Sequence, residues 1–227
     1  MDKAKSWLKS TLDYEFNDPG LFAQALTHRS APGESNERLE FLGDAVLDFV
    51  ISEFVFRARP GADEGDLSRL RASLVKDSSL SSIAADLGLG EYLILGSGEK
   101  KSGGHRRESI LADALEAIYG AVYLDAGFDA ARRVVEKSFG ERLESLPDPR
   151  ELRDPKTRLQ EWLQARGFSL PTYDLVEVTG KAHRQRFEVS CSVDGAQAEA
   201  RGIGSSRRNA EQQAAERLLV ALKETAG

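Results

Sequence analysis

The chain has 227 residues, 41% hydrophobic and 30% charged, with a formal net charge of −6, which is typical of one large or two small folded domains. Its one cysteine, Cys191, excludes an intramolecular disulfide, and one cysteine with three histidines disfavours a zinc site. No apolar run approaches the roughly 20 residues that cross a bilayer, and the N-terminus lacks a signal-peptide core, so we expect a cytoplasmic protein without membrane contacts.

The first part of the chain is dominated by helical hydrophobic spacing, and alternating strand patterns are scarce. Asp18 followed by Pro19 is typical of a helix N-cap and a first helical residue. Further helices are predicted over residues 36–56, 63–75, 78–87, 108–124 and 129–143. The glycine-rich segment 96–104 is interpreted as a mobile loop. Together these features predict an all-α domain.

A proline-rich, charged stretch follows this helical part. Residues 144–155 include three prolines and few apolar side chains, which is typical of a linker. We therefore predict a first domain over residues 1–145, a linker over 146–153 and a second domain over 154–225. Residues 1–153 carry a net charge of −7 and the remainder carries +1. The acidic first domain would either repel nucleic acid or concentrate divalent cations.

The second domain combines helices with short alternating segments. Helices are predicted over 156–165 and 205–223, and strands over 173–179, 186–193 and 197–202. Asp194 and Gly195 are typical of a hairpin turn between the last two strands. Cys191 shares a strand face with Phe187 and Val189, which indicates a core residue rather than a nucleophile. This order predicts a small α+β domain of the α-β-β-β-α type.

Five carboxylates recur at helical spacing in the first domain. Glu37, Glu40 and Asp44 lie at i, i+3 and i+7, so they project within about 60° of one another. Asp113 and Glu116 form a second i, i+3 pair among apolar residues, where carboxylates without partners are costly. Oxygen ligands suit Mg²⁺ or Mn²⁺, and such ions can activate water for in-line attack on a phosphodiester. Each carboxylate taken alone could instead be a solvated position on an amphipathic helix.

The order of the motifs resembles the ribonuclease III family. The run 36–45, NERLEFLGDA, is similar to the family signature. Three further segments match it in order: 26–30 (LTHRS), 63–68 (DEGDLS) and 108–113 (ESILAD). The part after the linker resembles a double-stranded-RNA-binding domain. The resemblance covers nearly the whole chain and implies an all-α endonuclease domain followed by an α-β-β-β-α RNA-binding domain.

The resemblance implies a homodimeric, Mg²⁺-dependent endoribonuclease for double-stranded RNA, with Mn²⁺ able to substitute and no small-molecule cofactor. Metal-activated water would attack the phosphodiester and leave 5′-phosphate and 3′-hydroxyl ends with short 3′ overhangs. Glu40, Asp44, Asp113 and Glu116 match the metal-binding carboxylates of the family, and Asp44 and Glu116 match its catalytic pair. The family suggests roles in the processing of ribosomal RNA precursors and of messenger RNA.

Other residues of the first domain acquire roles from the same resemblance. Glu37 and Glu64 match acidic residues nearer the path of the RNA. Phe41 matches an aromatic residue that inserts into the partner subunit of the dimer. His28, in the LTHRS segment, is interpreted as a structural histidine that forms hydrogen bonds within the fold.

The second domain is expected to bind the RNA duplex through three of its elements. Its first helix presents a polar face suited to the wide minor groove, formed by Thr157, Gln160, Glu161 and Gln164. His183 lies at the tip of a loop that is expected to reach the next minor groove. Arg207 and Arg208 open the last helix, where backbone N–H groups and the helix dipole favour phosphate.

Two other functions are considered. A regulator that holds duplex RNA without cutting it would share the fold, but it would have little reason to keep Glu40, Asp44, Asp113 and Glu116 together. An all-α metal phosphohydrolase acting on nucleotides would leave the second domain unexplained, and the sequence shows no His-Asp dyad for it.

Overall fold

The structure is a computed structural model that describes residues 1–181, 184–194 and 198–226. It divides into two compact units, Met1–Pro147 and Asp148–Gly227. The division falls within segment 146–153, whose role as a linker stays a prediction. In the described part of the chain, no helix has the length and apolar character needed to cross a membrane.

The first unit is helical throughout. Its helices are α1 (Asp2–Leu12), α2 (Pro19–Ala25), α3 (Glu37–Ala58), α4 (Glu64–Val75), α5 (Asp77–Asp86), α6 (Ser97–Lys101), α7 (Glu108–Ala126), α8 (Phe128–Phe139) and α9 (Glu141–Glu144). The sequence analysis did not predict α1, which buries Trp7, Leu8 and Leu12. Capping carboxylates start two of the predicted helices, because Asp18 accepts from the N–H of Gly20 and Asp63 accepts from that of Asp66.

Two details of the predicted helices are wrong or incomplete. The single helix predicted over 129–143 is divided into α8 and α9 at Gly140, whose φ of 51° and ψ of −129° lie outside helical space. The segment predicted to be a mobile loop contains α6 and ends at the first residue of a short 3₁₀ helix, Gly104–Arg106. The path of the chain at Gly140 and in segment 96–104 depends on glycine backbone conformations, which cannot be predicted from hydrophobic spacing.

Helices α3 and α7 cross at the centre of the first unit with their backbones in contact. A Cβ atom at Gly43 of α3 would lie 1.8 Å from the carbonyl oxygen of Glu116, and one at Gly120 of α7 would lie 2.2 Å from that of Leu39. Only glycine permits so close an approach. The crossing therefore brings the carboxylates of the two helices to one place.

The second unit has the predicted α-β-β-β-α order. It contains α10 (Pro155–Gln164), β1 (Thr172–Thr179), β2 (Arg186–Val193), β3 (Ala198–Gly204) and α11 (Arg207–Ala226). The strands form an antiparallel sheet in the order β1-β2-β3, with Cys191 opposite Tyr173 and Ala200. Cys191 is fully buried in the core between this sheet and the two helices, as predicted. Gly195 of the predicted turn and Gln197 of the predicted third strand lie outside the described residues.

Candidate metal centre and nucleic-acid interface

Carboxylates from α3 and α7 meet at the helix crossing. One oxygen from each of Glu40, Asp113 and Glu116 lies within 4.8 Å of the other two. All three side chains are half-buried. Three carboxylate oxygens at this spacing match the donor set that a hard cation such as Mg²⁺ or Mn²⁺ prefers.

Asp44 differs from the other three predicted ligands. It lies one helical turn beyond Glu40 on α3, but its side chain is exposed, whereas those of Glu40, Asp113 and Glu116 are half-buried. The structure does not bring Asp44 into the 4.8 Å group. Its negative charge nevertheless acts on that group, since it raises the pKa of Glu116.

Negative charge outweighs positive charge around this group of carboxylates. Burial, and after it the charges of Asp44, Glu40, Asp113 and Asp77, together raise the pKa of Glu116 to about 8. Burial is also the main cause of the raised pKa of Glu40 and of Asp113. A divalent cation would relieve this repulsion, so these residues fit a metal ion.

A cleft of about 560 Å³ opens beside Glu40 and Asp113, a size suited to part of a nucleotide chain. Its wall also carries cationic side chains. Arg29 lies 3.7 Å from a carboxylate oxygen of Glu37, and Arg107 pairs with Glu99 at 2.7 Å. The cleft therefore combines cation-binding oxygens with positively charged groups that suit phosphate.

Sequence reasoning missed the position of His28 in this cleft. Its Nδ1 accepts from the backbone N–H of Ser30 at 3.2 Å and lies 2.8 Å from the Ser30 hydroxyl, which confirms the predicted structural hydrogen bonding. Because Nδ1 is an acceptor, the neutral ring carries its proton on Nε2. The ring also lines the cleft with Asp113. The signal available in the sequence was the LTHRS segment.

Asp77 is the second group that sequence reasoning missed. It is the first residue of α5, and its charge raises the pKa of both Asp113 and Glu116. Its partners are 36 and 39 positions away in the chain, so no local spacing could indicate the interaction.

Glu37 and Glu64, both predicted to lie near the RNA, occupy different places. Glu37 is exposed at the start of α3 and lines the cleft. Glu64 is exposed at the start of α4, where it accepts from the Ser68 hydroxyl at 3.0 Å. Within one chain, the described contacts do not place Glu64 in the carboxylate group or among the cleft residues.

The outer face of α3 exposes large aromatic side chains. Phe41, Phe49 and Phe56 are 81%, 60% and 68% exposed. An apolar depression of about 420 Å³ lies on the same helix, and its lining includes Phe49, Tyr123 and Phe128. Apolar surface of this kind on a soluble chain is typical of a protein interface.

In the second unit, α10 separates buried and polar positions as predicted. Leu159 and Leu163 are fully buried, while Gln160, Glu161 and Gln164 are exposed. The Thr157 hydroxyl donates to Asp154 at 2.7 Å, and Glu161 pairs with Arg153. The four predicted polar residues therefore share one side of α10.

The last helix begins with two exposed arginines, Arg207 and Arg208. Arg207 donates through Nε to Glu211 at 2.9 Å. His183, the predicted tip of the neighbouring loop, lies outside the described residues.

Comparisons with known proteins match both units. A ribonuclease-III-like family model covers residues 18–143, and a double-stranded RNA binding motif covers residues 155–222. Ribonuclease 3 of Alkalilimnicola ehrlichii is 52% identical over 224 residues, 99% of this chain and 98% of that protein. Ribonuclease 3 of Methylococcus capsulatus is 54% identical over 99% of this chain and 97% of that protein.

Among solved structures, the nuclease domain of ribonuclease III from Campylobacter jejuni is similar to the first unit. It shares 48% sequence identity with a TM-score of 0.56, and the match covers 59% of this chain and 96% of that one. Fold, site and sequence thus define a metal-dependent nuclease joined to an RNA-binding module. The chain belongs to the ribonuclease III family.

These findings confirm the family, the all-α plus α-β-β-β-α fold class, and the class of enzyme, an endoribonuclease. They also account for the second unit, which a nucleotide phosphohydrolase left unexplained.

Proposed function

We propose that this protein is a homodimeric, Mg²⁺-dependent endoribonuclease that cuts both strands of duplex RNA and leaves 5′-phosphate and 3′-hydroxyl ends. The observation that carries the proposal is the convergence of Glu40, Asp113 and Glu116 in a chain with a double-stranded RNA binding motif. Mn²⁺ is expected to substitute, because the donor set consists of oxygens. We assign the protein to the cytoplasm and to the processing of ribosomal and messenger RNA.

In the mechanism, Glu40, Asp113 and Glu116 would hold the metal, with Asp44 beside them at the exposed edge of the group. A bound Mg²⁺ lowers the pKa of water and neutralises charge that develops on the phosphate. Glu116, whose pKa is raised to about 8 without a cation, would be deprotonated when it acts as a ligand. Asp44 and Glu116 are the residues assigned to the catalytic step, and Asp44 faces solvent, where an attacking water can reach it.

The cleft beside the carboxylates would hold the RNA strand next to the scissile bond. The Nε2–H of His28 and the guanidinium groups of Arg29 and Arg107 are donors suited to phosphate oxygens. Glu37 lines the same cleft. We assign it to the path of the RNA and not to the metal site. Glu64 is assigned to the RNA path of the assembled dimer, because its own chain does not bring it to this cleft.

The homodimer is proposed from the exposed face of α3. A second copy of the chain would cover Phe41, Phe49 and the adjoining depression, each of which is costly to leave in water. In the Campylobacter jejuni nuclease domain, a region is involved in dimer formation. Two active sites in one dimer would cut one strand each.

The second unit is proposed to read the shape of the duplex rather than its sequence. Gln160, Gln164 and their neighbours on α10 offer donors and acceptors to 2′-hydroxyls. Arg207 and Arg208 offer charge to phosphates. The contact assigned to His183 stays a prediction from the sequence.

The proposal is tested by incubating the protein with a long perfect RNA duplex in Mg²⁺, and in parallel in EDTA. Single-stranded RNA and duplex DNA are the matched controls. We expect cleavage of the RNA duplex alone, only with the divalent ion, and products with 5′-phosphates. Binding without cleavage in either Mg²⁺ or Mn²⁺ would identify a regulator and remove the catalytic assignment.

A further inference from the structure

Glu211 places a negative charge on the part of the second unit that is proposed to bind a polyanion. It lies in the second turn of α11, four residues after Arg207. Its Oε1 accepts from Arg207 Nε at 2.9 Å, and its Oε2 accepts from Lys156 Nζ at 2.7 Å. The side chain is only 15% exposed, whereas that of Arg207 is 58% exposed. One carboxylate therefore joins two cations from two different helices.

The bond to Nε orients the guanidinium of Arg207. A guanidinium has five N–H donors in a planar fork, and Nε occupies its inner edge. Glu211 holds that inner edge, so the two terminal nitrogens are left for another acceptor. The hydrogen bonds formed among the described residues do not use those nitrogens. They are presented at the first turn of α11, where the helix dipole adds to their attraction for phosphate.

The same carboxylate belongs to a set of bonds that ties α10 to α11. Lys156, in the first turn of α10, is held by Glu211 and also lies 4.2 Å from the ring centre of Tyr173. The neighbouring Gln212 accepts from the backbone N–H of Lys156 at 3.1 Å and donates to Asp154 at 3.1 Å. These contacts fix the start of α10 against the start of α11.

We propose that Glu211 is a positioning residue for duplex RNA, because it sets the direction of Arg207 and the spacing between the first turns of α10 and α11. A module that reads shape depends on this spacing, since its contacts must match successive features of an A-form helix. The inference rests on the proposed function, because it takes Arg207 as a phosphate contact.

A positioning role and a purely electrostatic role of Glu211 predict opposite changes in RNA affinity for one substitution. Glu211→Gln removes a negative charge beside a polyanion, so charge alone predicts tighter binding. Gln has one acceptor oxygen in place of two, so it can hold Arg207 or Lys156 but not both. Loss of the joint contact predicts binding weaker by about ten-fold, the scale of a bond to a charged group. Glu216→Gln is the matched control, since Glu216 is an exposed residue of the same helix that pairs with no described residue.

The measurement is the dissociation constant of the full chain for a labelled RNA duplex of roughly 20 base pairs, longer than the about 16 that such a module spans. Fluorescence anisotropy in EDTA keeps the duplex intact. We expect weaker binding for Glu211→Gln, and equal or tighter binding for Glu216→Gln. Tighter binding in both variants would overturn the inference. Thermal unfolding of each variant shows whether the second unit is still folded.

A second variant of Glu211 keeps the negative charge but shortens the side chain. Glu211→Asp is one methylene shorter, so it cannot hold Lys156 and Arg207 together. We expect it to weaken binding as well, and this variant decides the matter if Glu211→Gln does not fold. Binding equal to that of the unsubstituted chain would mean that the charge of residue 211, and not its geometry, is what the module needs.

A double-mutant cycle with Arg207→Ala separates this inference from the proposed function. Arg207→Ala should weaken binding and reduce the slope of log affinity against log salt by about 0.9, a value taken from duplex DNA. In that background, Glu211→Gln should lose most of its effect. An unchanged slope would remove Arg207 from the proposed RNA interface. A normal Arg207 effect with a fully additive Glu211 effect would reject the positioning role alone.

Discussion

Glu116 in the first unit and Glu211 in the second are the same residue type in opposite surroundings. Glu116 is half-buried among Glu40, Asp113 and other acids, and its pKa rises to about 8. Glu211 is also half-buried, but Lys156 and Arg207 lower its pKa. The protein pairs Glu211 with its own cations, whereas the main charges that act on Glu116 are negative. The direction of each pKa shift therefore follows the charges beside the carboxyl as well as its burial.

The largest expected effect comes from substituting Glu116, the carboxylate of the first unit in this comparison. Glu116→Gln keeps the size of the side chain and removes a charged ligand, so we expect RNA cleavage to fall by more than about 100-fold, beyond the usual effect of outer-shell changes at metal sites. Binding of the duplex in EDTA should be nearly unchanged, because the RNA contacts remain. The measurement is the initial rate of duplex cleavage in saturating Mg²⁺.

The control for Glu116→Gln is Glu108→Gln, an exposed position at the start of the same helix. It should cleave at close to the normal rate. Undiminished cleavage by the Glu116 variant would contradict the assignment of the metal site.

A second test separates the two helices that hold the carboxylates. Gly43→Ala would place a Cβ 1.8 Å from the carbonyl oxygen of Glu116, and relief of this overlap requires α3 and α7 to move apart. We expect the free energy of unfolding to fall by about 3 kcal/mol, at the upper end of overpacking effects. Urea denaturation followed by circular dichroism measures it. Gly61→Ala, which meets no atom within 4 Å, should leave stability nearly unchanged.

A third test compares how truncation of an exposed apolar residue in each unit changes the dissociation constant of the dimer. Phe41→Ala should weaken the dimer by about thirty-fold, the effect of removing an interface anchor of roughly 2 kcal/mol. Leu170→Ala truncates an exposed side chain of the second unit, which is 57% exposed, and should not change the dimer. Sedimentation equilibrium at matched concentrations reports both. Equal dissociation constants for the two variants would place the interface elsewhere.

The smallest expected effect is a pH dependence that distinguishes Glu116 from Glu211. Without a metal, the folded-state pKa of Glu116 is raised from 4.5 to about 8, so its contribution to stability is present below pH 4.5 and lost as the pH rises towards 8. Mg²⁺ competes with this proton, so its affinity should rise by about ten-fold per pH unit up to pH 8. Calorimetry in two buffers should detect about one proton released per bound ion at pH 7. Release of no proton would contradict the raised pKa.

Much of the fold follows from short-range patterns. The start of α4 and all of β2 are predicted because caps and alternation depend on neighbouring residues. The start of α3 is also predicted, although Asn36 makes no side-chain capping bond there. The division at Gly140 escaped prediction because the hydrophobic spacing continues through it. The three carboxylates that converge were each among the predicted residues. The influence of Asp77 and the exposure of Asp44 were not predicted, because they depend on which helix faces pack together.

Patterns along the chain were enough to predict the family, most of the order of helices and strands, and which carboxylates lie on common helix faces. These properties depend on spacing along the chain, which the sequence states directly. The backbone contact at Gly43 and Gly120 and the raised pKa of Glu116 arise from helix packing, which no local pattern indicates. Helix packing also decided the bond between Glu211 and Lys156, 55 residues apart. Electrostatic energies depend on distance through space and on exclusion of water, and both are set when the helices pack.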